Sequence, residues 1–200
     1  GGTFDPVHVA HLRLAEEARE ALHLDRVLFV PAGRPPHRGR PAAPARDRLA
    51  MVRLAVAGHP SFGVSDLEIR RDGKSYTADT VAELARRHPG TRLFLLLGAD
   101  QAAELPDWHE PYRLAGLCRI VVMARPGGRV PAPLRVPGPA GRGARTLPVT
   151  RLDMTPLDVS ATRLRRKARA GRSLRYLVPD PVIAYLRRRR LYARPAVSSR

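Results

Sequence analysis

Apolar residues recur along this chain in two alternating periods. From 10 to 24, "AHLRLAEEAREALHL" spaces its apolar side chains as one face of a helix, and "RVLFVPA" (26–32) is continuously apolar, as a buried strand would be. Further helical patterns are predicted over 46–59 ("RDRLAMVRLAVAGH"), 77–88 ("TADTVAELARRH"), 161–171 and 180–192. Strand patterns are predicted over 62–70 ("FGVSDLEIR"), 92–100 ("RLFLLLGAD"), 118–125 ("CRIVVMAR") and, more faintly, 145–153 ("RTLPVTRLD"). Nearly all-apolar strands separated by amphipathic helices predict an α/β fold. Its expected form is a doubly wound, Rossmann-like parallel sheet with helices on both faces and a C-terminal helical element. One domain is expected over 1–192, with 159–192 as its helical end and 193–200 as a disordered tail. Ligands of such sheets bind beyond the carboxyl ends of the strands. "PAGRPPH", "GAD" and "ARPG" each follow a strand directly.

Two stretches break the alternation. "GRPPHRGRPAAPA" (33–45) reads as a proline-rich loop, and "PGGRVPAPLRVPGPAGRG" (126–143) as a flexible Pro/Gly-rich loop inserted at the surface. A fold of this kind also places a strand before its first glycine turn. No residue precedes Gly1 here, so an apolar first strand is expected upstream in the natural chain, and the sheet is expected to be weakened without it.

Composition changes the picture little. A single cysteine, Cys118, leaves no internal disulfide and fits a reducing, cytoplasmic compartment. No apolar run approaches the roughly 20 residues that span a bilayer, so no membrane partner is expected. The net charge of +18 invites a nucleic-acid reading. However, Lys74 and Lys167 are the only lysines among 36 basic residues. Arginine with abundant Ala, Gly and Pro is the residue bias of a GC-rich genome, and no nucleic-acid motif accompanies it. A nucleic-acid partner is therefore not expected; a homo-oligomer is compatible with the chain, and the sequence does not define one.

Candidate chemistry begins at "GGTFDPVHVAHL". There is no G-x-x-x-x-G-K-[ST] and no G-x-G-x-x-G, which excludes a P-loop NTPase and an ordinary dinucleotide dehydrogenase. His8 and His11 stand three residues apart, but no third or fourth metal ligand is evident, so no metal site is assigned. Glycines that admit close backbone approach, a helix N-terminus and two imidazoles on its first turn suit a phosphate instead. Such donors stabilise the charge that builds on non-bridging oxygens when a phosphorus is attacked.

"GTFDPVHVAH" resembles the GTFDPxHxGH signature of the nucleotidylyltransferases, and "VSATRLR" (159–165) resembles their ISSTxxR motif. On its own "SAT" would be only a helix cap. Further segments, "GKSYTADTVAEL" (73–84), "LLGADQAAELPDWHE" (96–110) and "RPPHR" (34–38), are similar to the bacterial nicotinate-nucleotide adenylyltransferases. The resemblance runs from Gly1 to about Tyr192 and weakens over 126–150. It implies transfer of the adenylyl group of ATP to nicotinate mononucleotide, with Mg²⁺ on the ATP phosphates.

The resemblance also implies residue roles. Gly2, Thr3 and Phe4 would line the ATP site through their backbone, with Gly98 and Asp100 beside the adenosine ribose. His8 and His11 would contact the phosphates, and His11 would stabilise the transition state. Ser160 and Thr162, at a helix start, and Arg165, one turn inside, would hold the leaving pyrophosphate. Trp108 would stack on the pyridine ring and Tyr76 and Thr77 would frame its carboxylate, with Asp100 near the mononucleotide. His37 and Arg38 would approach the mononucleotide phosphate, helped by Arg125. Thr80 and Glu83 also match a capping box, which offers a purely structural reason for a helix start here. Ala10 stands where the motif has glycine; alanine suits the position if only helical geometry is needed there. Two rival classes remain at this stage: a related transferase with another phosphate or alcohol acceptor, and a non-catalytic basic nucleic-acid-binding protein.

Overall fold

The computed structural model describes residues 1–36, 39–130 and 132–193. In chain order its elements are α1 (Val9–Ala21), β1 (Val27–Phe29), α2 (Ala45–Val56), β2 (Phe62–Val64), α3 (Leu67–Arg70), α4 (Thr77–Arg87) and β3 (Phe94–Gly98). They continue with α5 (Ala99–Glu104), β4 (Arg119–Ala124), β5 (Leu134–Pro137), β6 (Ala144–Leu147), β7 (Val149–Asp153), α6 (Ala161–Arg169) and α7 (Asp180–Arg188). Short 3-10 turns occupy Leu105–Asp107, Pro111–Leu114 and Pro139–Gly141. The chain forms two compact units: Gly1–Ala15, Asp25–Gly73 and the part from Leu157 make the first, and Glu16–Leu24 with Lys74–Pro156 the second.

In the first unit β1 and β2 pair in parallel, with Val27 opposite Phe62, and α2 makes the crossover between them. Gly2 continues this pattern beside Pro31: its N–H donates to the Val30 carbonyl at 3.1 Å, and its carbonyl accepts from Ala32 at 2.9 Å. Val7, Phe29, Met51, Val52, Val182 and Leu186 are buried here. α7 packs on α2, and the buried Asp47 fastens the contact by accepting from the Tyr185 hydroxyl at 2.7 Å and Arg189 Nε at 3.2 Å.

In the second unit β3, β4 and β7 form a parallel sheet in that order, with Leu95 opposite Ile120 and Val121 opposite Thr150. Leu95, Leu97, Ile120 and Val122 bury against Val81 of α4 and Ala102 of α5. Parallel strands, joined through helices except between β4 and β7, are the α/β, Rossmann-like architecture expected from the alternation, and the helical C-terminal element is present as α6 and α7.

Three expectations need correction. The strand pattern over 62–70 holds only through Val64. Ser65 Oγ accepts from the Leu67 amide at 3.3 Å, and Ile69 and Arg70 donate back to the Asp66 carbonyl, so the chain turns into α3. The segment 126–143 is not simply a loop. β5 and β6 form an antiparallel hairpin whose Leu134, Val136 and Leu147 join the core of the second unit. The period-two signal "LRV" was there, hidden among prolines and glycines. Finally, 145–153 is two strands, β6 and β7, because Pro148 falls between them and offers no N–H to continue a ladder.

Candidate active site

In the first unit the chain leaves Gly2 and folds the Phe4 ring back over it; a Cβ on Gly2 would lie 3.1 Å from that ring. His8 ends the turn and α1 begins at the next residue, so His11 lies on the first helical turn. The two imidazoles stack, with centroids 3.7 Å apart and planes 26° from parallel, and Phe4 meets His11 edge-on at 5.0 Å. His11 Nδ1 accepts from the His8 backbone N–H at 3.2 Å. A nitrogen that accepts cannot carry the proton, so neutral His11 carries it on Nε2 and presents an Nε2–H donor. His8 is buried, and among the described residues its Nδ1 has no hydrogen-bond partner. Ala10 lies in the first turn of α1, where its methyl group suits the helical backbone.

Burial lowers the His8 pKa from 6.5 to about 4. Burial, with the neighbouring His8, takes His11 to about 3. Both are therefore neutral donors near pH 7. In the unfolded chain they titrate near 6.5, so below that pH the unfolded state binds more protons than the folded one. Stability should then fall as the pH drops from about 6.5 toward 4, by of order 2 kcal/mol per imidazole between 6.5 and 5. Urea denaturation at pH 7.5 and 5.0 measures this, and the His8→Gln variant should lose part of the slope. An unchanged slope in that variant would show that His8 is not held neutral by the fold.

The joint that steadies this turn was not anticipated from sequence. Asp5 is buried; its Oδ2 accepts from the Ala42 amide at 2.7 Å, and its Oδ1 from the Ala43 amide at 3.1 Å and from the Tyr192 hydroxyl. Arg165 donates to the Asp5 carbonyl at 2.7 Å and to Thr162 Oγ1 at 3.1 Å. The two sequence motifs, far apart in the chain, are thus bonded to each other. Arg48 is 1% exposed and donates to the carbonyls of Thr3 at 2.7 Å, Gly33 at 3.2 Å and Ala43 at 3.3 Å. A charged residue on an otherwise apolar helix face was the available signal for Arg48. Ser160 caps α6, its Oγ accepting from the Arg163 amide at 3.4 Å, so Ser160, Thr162 and Arg165 stand at and just inside a helix start as expected. His37 and Arg38 lie outside the described residues, as does the tail from 194.

The second unit carries the remaining candidates. Gly98 ends β3 and precedes α5, with Asp100 exposed in the first turn of that helix. Arg125 is exposed directly after β4. Tyr76 is the N-cap residue of α4 and Thr77 its first residue, and the Tyr76 side chain makes no capping hydrogen bond. The capping box at Thr80 is not realised, because the helix starts one turn earlier and the Thr80 hydroxyl donates back to the Tyr76 carbonyl at 3.2 Å. Trp108 is half-buried and packs by part of its ring on the core.

In the first unit, a glycine turn running into a histidine-bearing helix and bonded to the capped basic helix α6 offers donors of the kind a nucleotide phosphate takes. Residues 1–167 match the cytidylyltransferase-like family. A curated relative from Geobacter metallireducens, "Probable nicotinate-nucleotide adenylyltransferase", is 45% identical over 206 residues, covering 96% of this chain and 95% of the relative. One of the same name from Pseudomonas syringae is 44% identical, covering 98% and 92%. The chain belongs to the cytidylyltransferase-like family and, within it, to the nicotinate-nucleotide adenylyltransferases. The fold agrees with a solved Plasmodium falciparum nicotinic acid mononucleotide adenylyltransferase complexed with NaAD. That match has a TM-score of 0.74 at 15% identity and covers 96% of this chain and 94% of that one. Among the described residues no helix is long and apolar enough to cross a membrane.

Proposed function

We propose that this chain transfers the adenylyl group of ATP to nicotinate mononucleotide, giving nicotinate adenine dinucleotide and pyrophosphate. The observation that carries the reading is the stacked, neutral imidazole pair at the head of α1, linked through Asp5 to Arg165. In this reading a phosphate oxygen of the mononucleotide attacks the α-phosphorus in line, and pyrophosphate leaves without a covalent enzyme intermediate. His11 Nε2–H donates to the oxygens on which charge builds, and His8 adds a contact to the phosphates. Gly2, Thr3 and Phe4 line the nucleotide; the N–H and carbonyl of Gly2 are already taken by Val30 and Ala32, so Gly2 serves by close approach. Ser160, Thr162 and Arg165 hold the departing pyrophosphate. Gly98 and Asp100 serve the adenosine ribose, while His37, Arg38 and Arg125 serve the mononucleotide phosphate. Mg²⁺ would arrive on the ATP phosphates and screen their charge.

Nicotinate and nicotinamide rings differ at one group, a carboxylate against a neutral amide. The amide donors and positive end of α4 at Tyr76 and Thr77 favour the anion, whereas an amide NH₂ would face donors unpaired. A buried group left unpaired costs about 1–3 kcal/mol. The expected kcat/KM preference for nicotinate mononucleotide is therefore at least about tenfold. Trp108→Ala should weaken both substrates and leave the preference standing, because stacking is common to both rings. Measuring dinucleotide formed from ATP and each mononucleotide tests the whole reading; equal use of the two, or no product from either, would overturn it.

A further inference from the structure

Trp108 is the chain's single tryptophan, and it sits between two 3-10 turns, Leu105–Asp107 and Pro111–Leu114. The three-residue connection ends at Glu110, whose φ of 47° and ψ of 50° place it in the left-handed region that a glutamate rarely adopts. Arg113 and Tyr112 hold it there. The Glu110 carboxylate accepts from Arg113 NH1 at 2.8 Å and from the Tyr112 hydroxyl at 2.9 Å, and its carbonyl accepts from the Arg113 amide at 3.0 Å.

The same NH1 nitrogen of Arg113 donates to Asp79 Oδ1 at 2.7 Å. Asp79 belongs to the first turn of α4, two residues beyond Thr77. A second tie runs beside this one: the His109 ring stacks on Tyr76, the N-cap residue of α4, with centroids 4.0 Å apart. The residue after the tryptophan is thus docked on the residue before the helix, and Arg113 clamps the turn to the helix itself. Arg113 also sets the local charge. Without it, Asp79 and Glu110 would be left as anions near a helix start that is to receive a carboxylate. The pairs are each about one-third exposed, 33% for Arg113 and 35% for Asp79, so they add little to stability. Their effect falls on placement and on charge at the helix start.

We infer that Arg113 is a positioning and specificity residue of the mononucleotide pocket: it holds the Trp108 turn against the start of α4 and cancels the Asp79 charge that would repel a pyridine carboxylate. The inference rests on the function proposed above and goes beyond it in assigning Arg113, which is not itself a substrate contact. A shift of the tryptophan turn alone would affect both pyridines alike; an uncovered Asp79 penalises the carboxylate selectively.

The test is titration of Trp108 fluorescence in the full chain with nicotinate mononucleotide and with nicotinamide mononucleotide, together with KM for ATP. Arg113→Leu is expected to weaken nicotinate mononucleotide about tenfold and nicotinamide mononucleotide less than about threefold, with KM for ATP unchanged. Arg113→Lys should retain most of the affinity, because one nitrogen makes both side-chain contacts and an ammonium can do the same. Should the leucine variant fail to fold, Arg113→Gln, which removes the charge but keeps a polar side chain, is expected to show the same selective loss. If wild-type protein binds nicotinate mononucleotide and the Leu or Gln variants bind it equally well, or lose both mononucleotides and ATP alike, the inference fails and the functional reading stands. If wild-type protein binds neither mononucleotide, the reading fails and takes the inference with it.

Discussion

Replacing His11 with alanine is expected to lower kcat by about 10²–10³ while changing KM for ATP far less, the scale of losing one donor aimed at developing charge. The geometry gives the reason. The backbone N–H of His8 occupies His11 Nδ1, which leaves the proton on Nε2 and gives the ring one orientation. Stacking on His8 and the edge contact from Phe4 keep the ring from rotating away. A donor already oriented needs no reorganisation when the phosphorus is attacked, so its stabilisation appears in the transition state and hence in kcat. With the His11 pKa near 3, wild-type turnover should show no step from this group between pH 5 and 8. His8→Ala should weaken ATP binding as well, since it removes the proposed phosphate contact and the stacking partner together. Steady-state rates at saturating ATP decide the matter; wild-type turnover in both variants would rule out the imidazole pair as the catalytic device.

Asp5→Ala should destabilise the protein by about 3–5 kcal/mol, the cost of breaking a buried charged network by removing one member. The Ala43 amide and the Tyr192 hydroxyl would lose their acceptor while buried, and the amide of the exposed Ala42 would lose its acceptor too. Arg48, one of the most deeply buried side chains, would lose a nearby negative charge that opposes the lowering of its pKa by burial. Tyr192→Phe removes a single hydrogen bond and leaves the carboxylate its two amides, so about 1–2 kcal/mol is expected. Urea denaturation of the three proteins at pH 7.5 measures both differences. A loss below about 1 kcal/mol for Asp5→Ala would show that the carboxylate is not the joint of this turn.

Some of this molecule was legible in the sequence because its cause is local. The apolar stripes of α1, α2, α4 and α7 and the apolar runs of β3 and β4 repeat with periods that neighbouring residues set for themselves, and each element formed within a few residues of its pattern. Likewise, Ser160 at the start of α6 and the paired histidines at the start of α1 are contiguous chemistry, visible as short motifs.

Elsewhere local signals competed or misled. Over 65–70 an alternating pattern matched a strand, yet a Ser65 bond to the Leu67 amide and the lack of a partner ladder there made a helical turn. In 126–143 the turn residues outnumbered the apolar ones, and the burial of Leu134 and Val136 depends on Leu147 across the hairpin and on the core beneath. Thr80 matched a cap, but α4 began at Thr77.

What the sequence by itself determined is therefore the periodic skeleton, the family-like motifs and the chemical character of the proposed phosphate site. The tertiary structure alone decided which buried and half-buried polar groups meet: Asp5 with Tyr192, 187 residues away, Arg165 with the Asp5 carbonyl, Arg48 with the Thr3 carbonyl, and Arg113 with Asp79. The physical reason is that a buried donor or acceptor must be paired, while any partner of the right chemistry satisfies that demand. Sequence supplies the need, and only the folded chain, by bringing distant segments within hydrogen-bond reach, selects the partner.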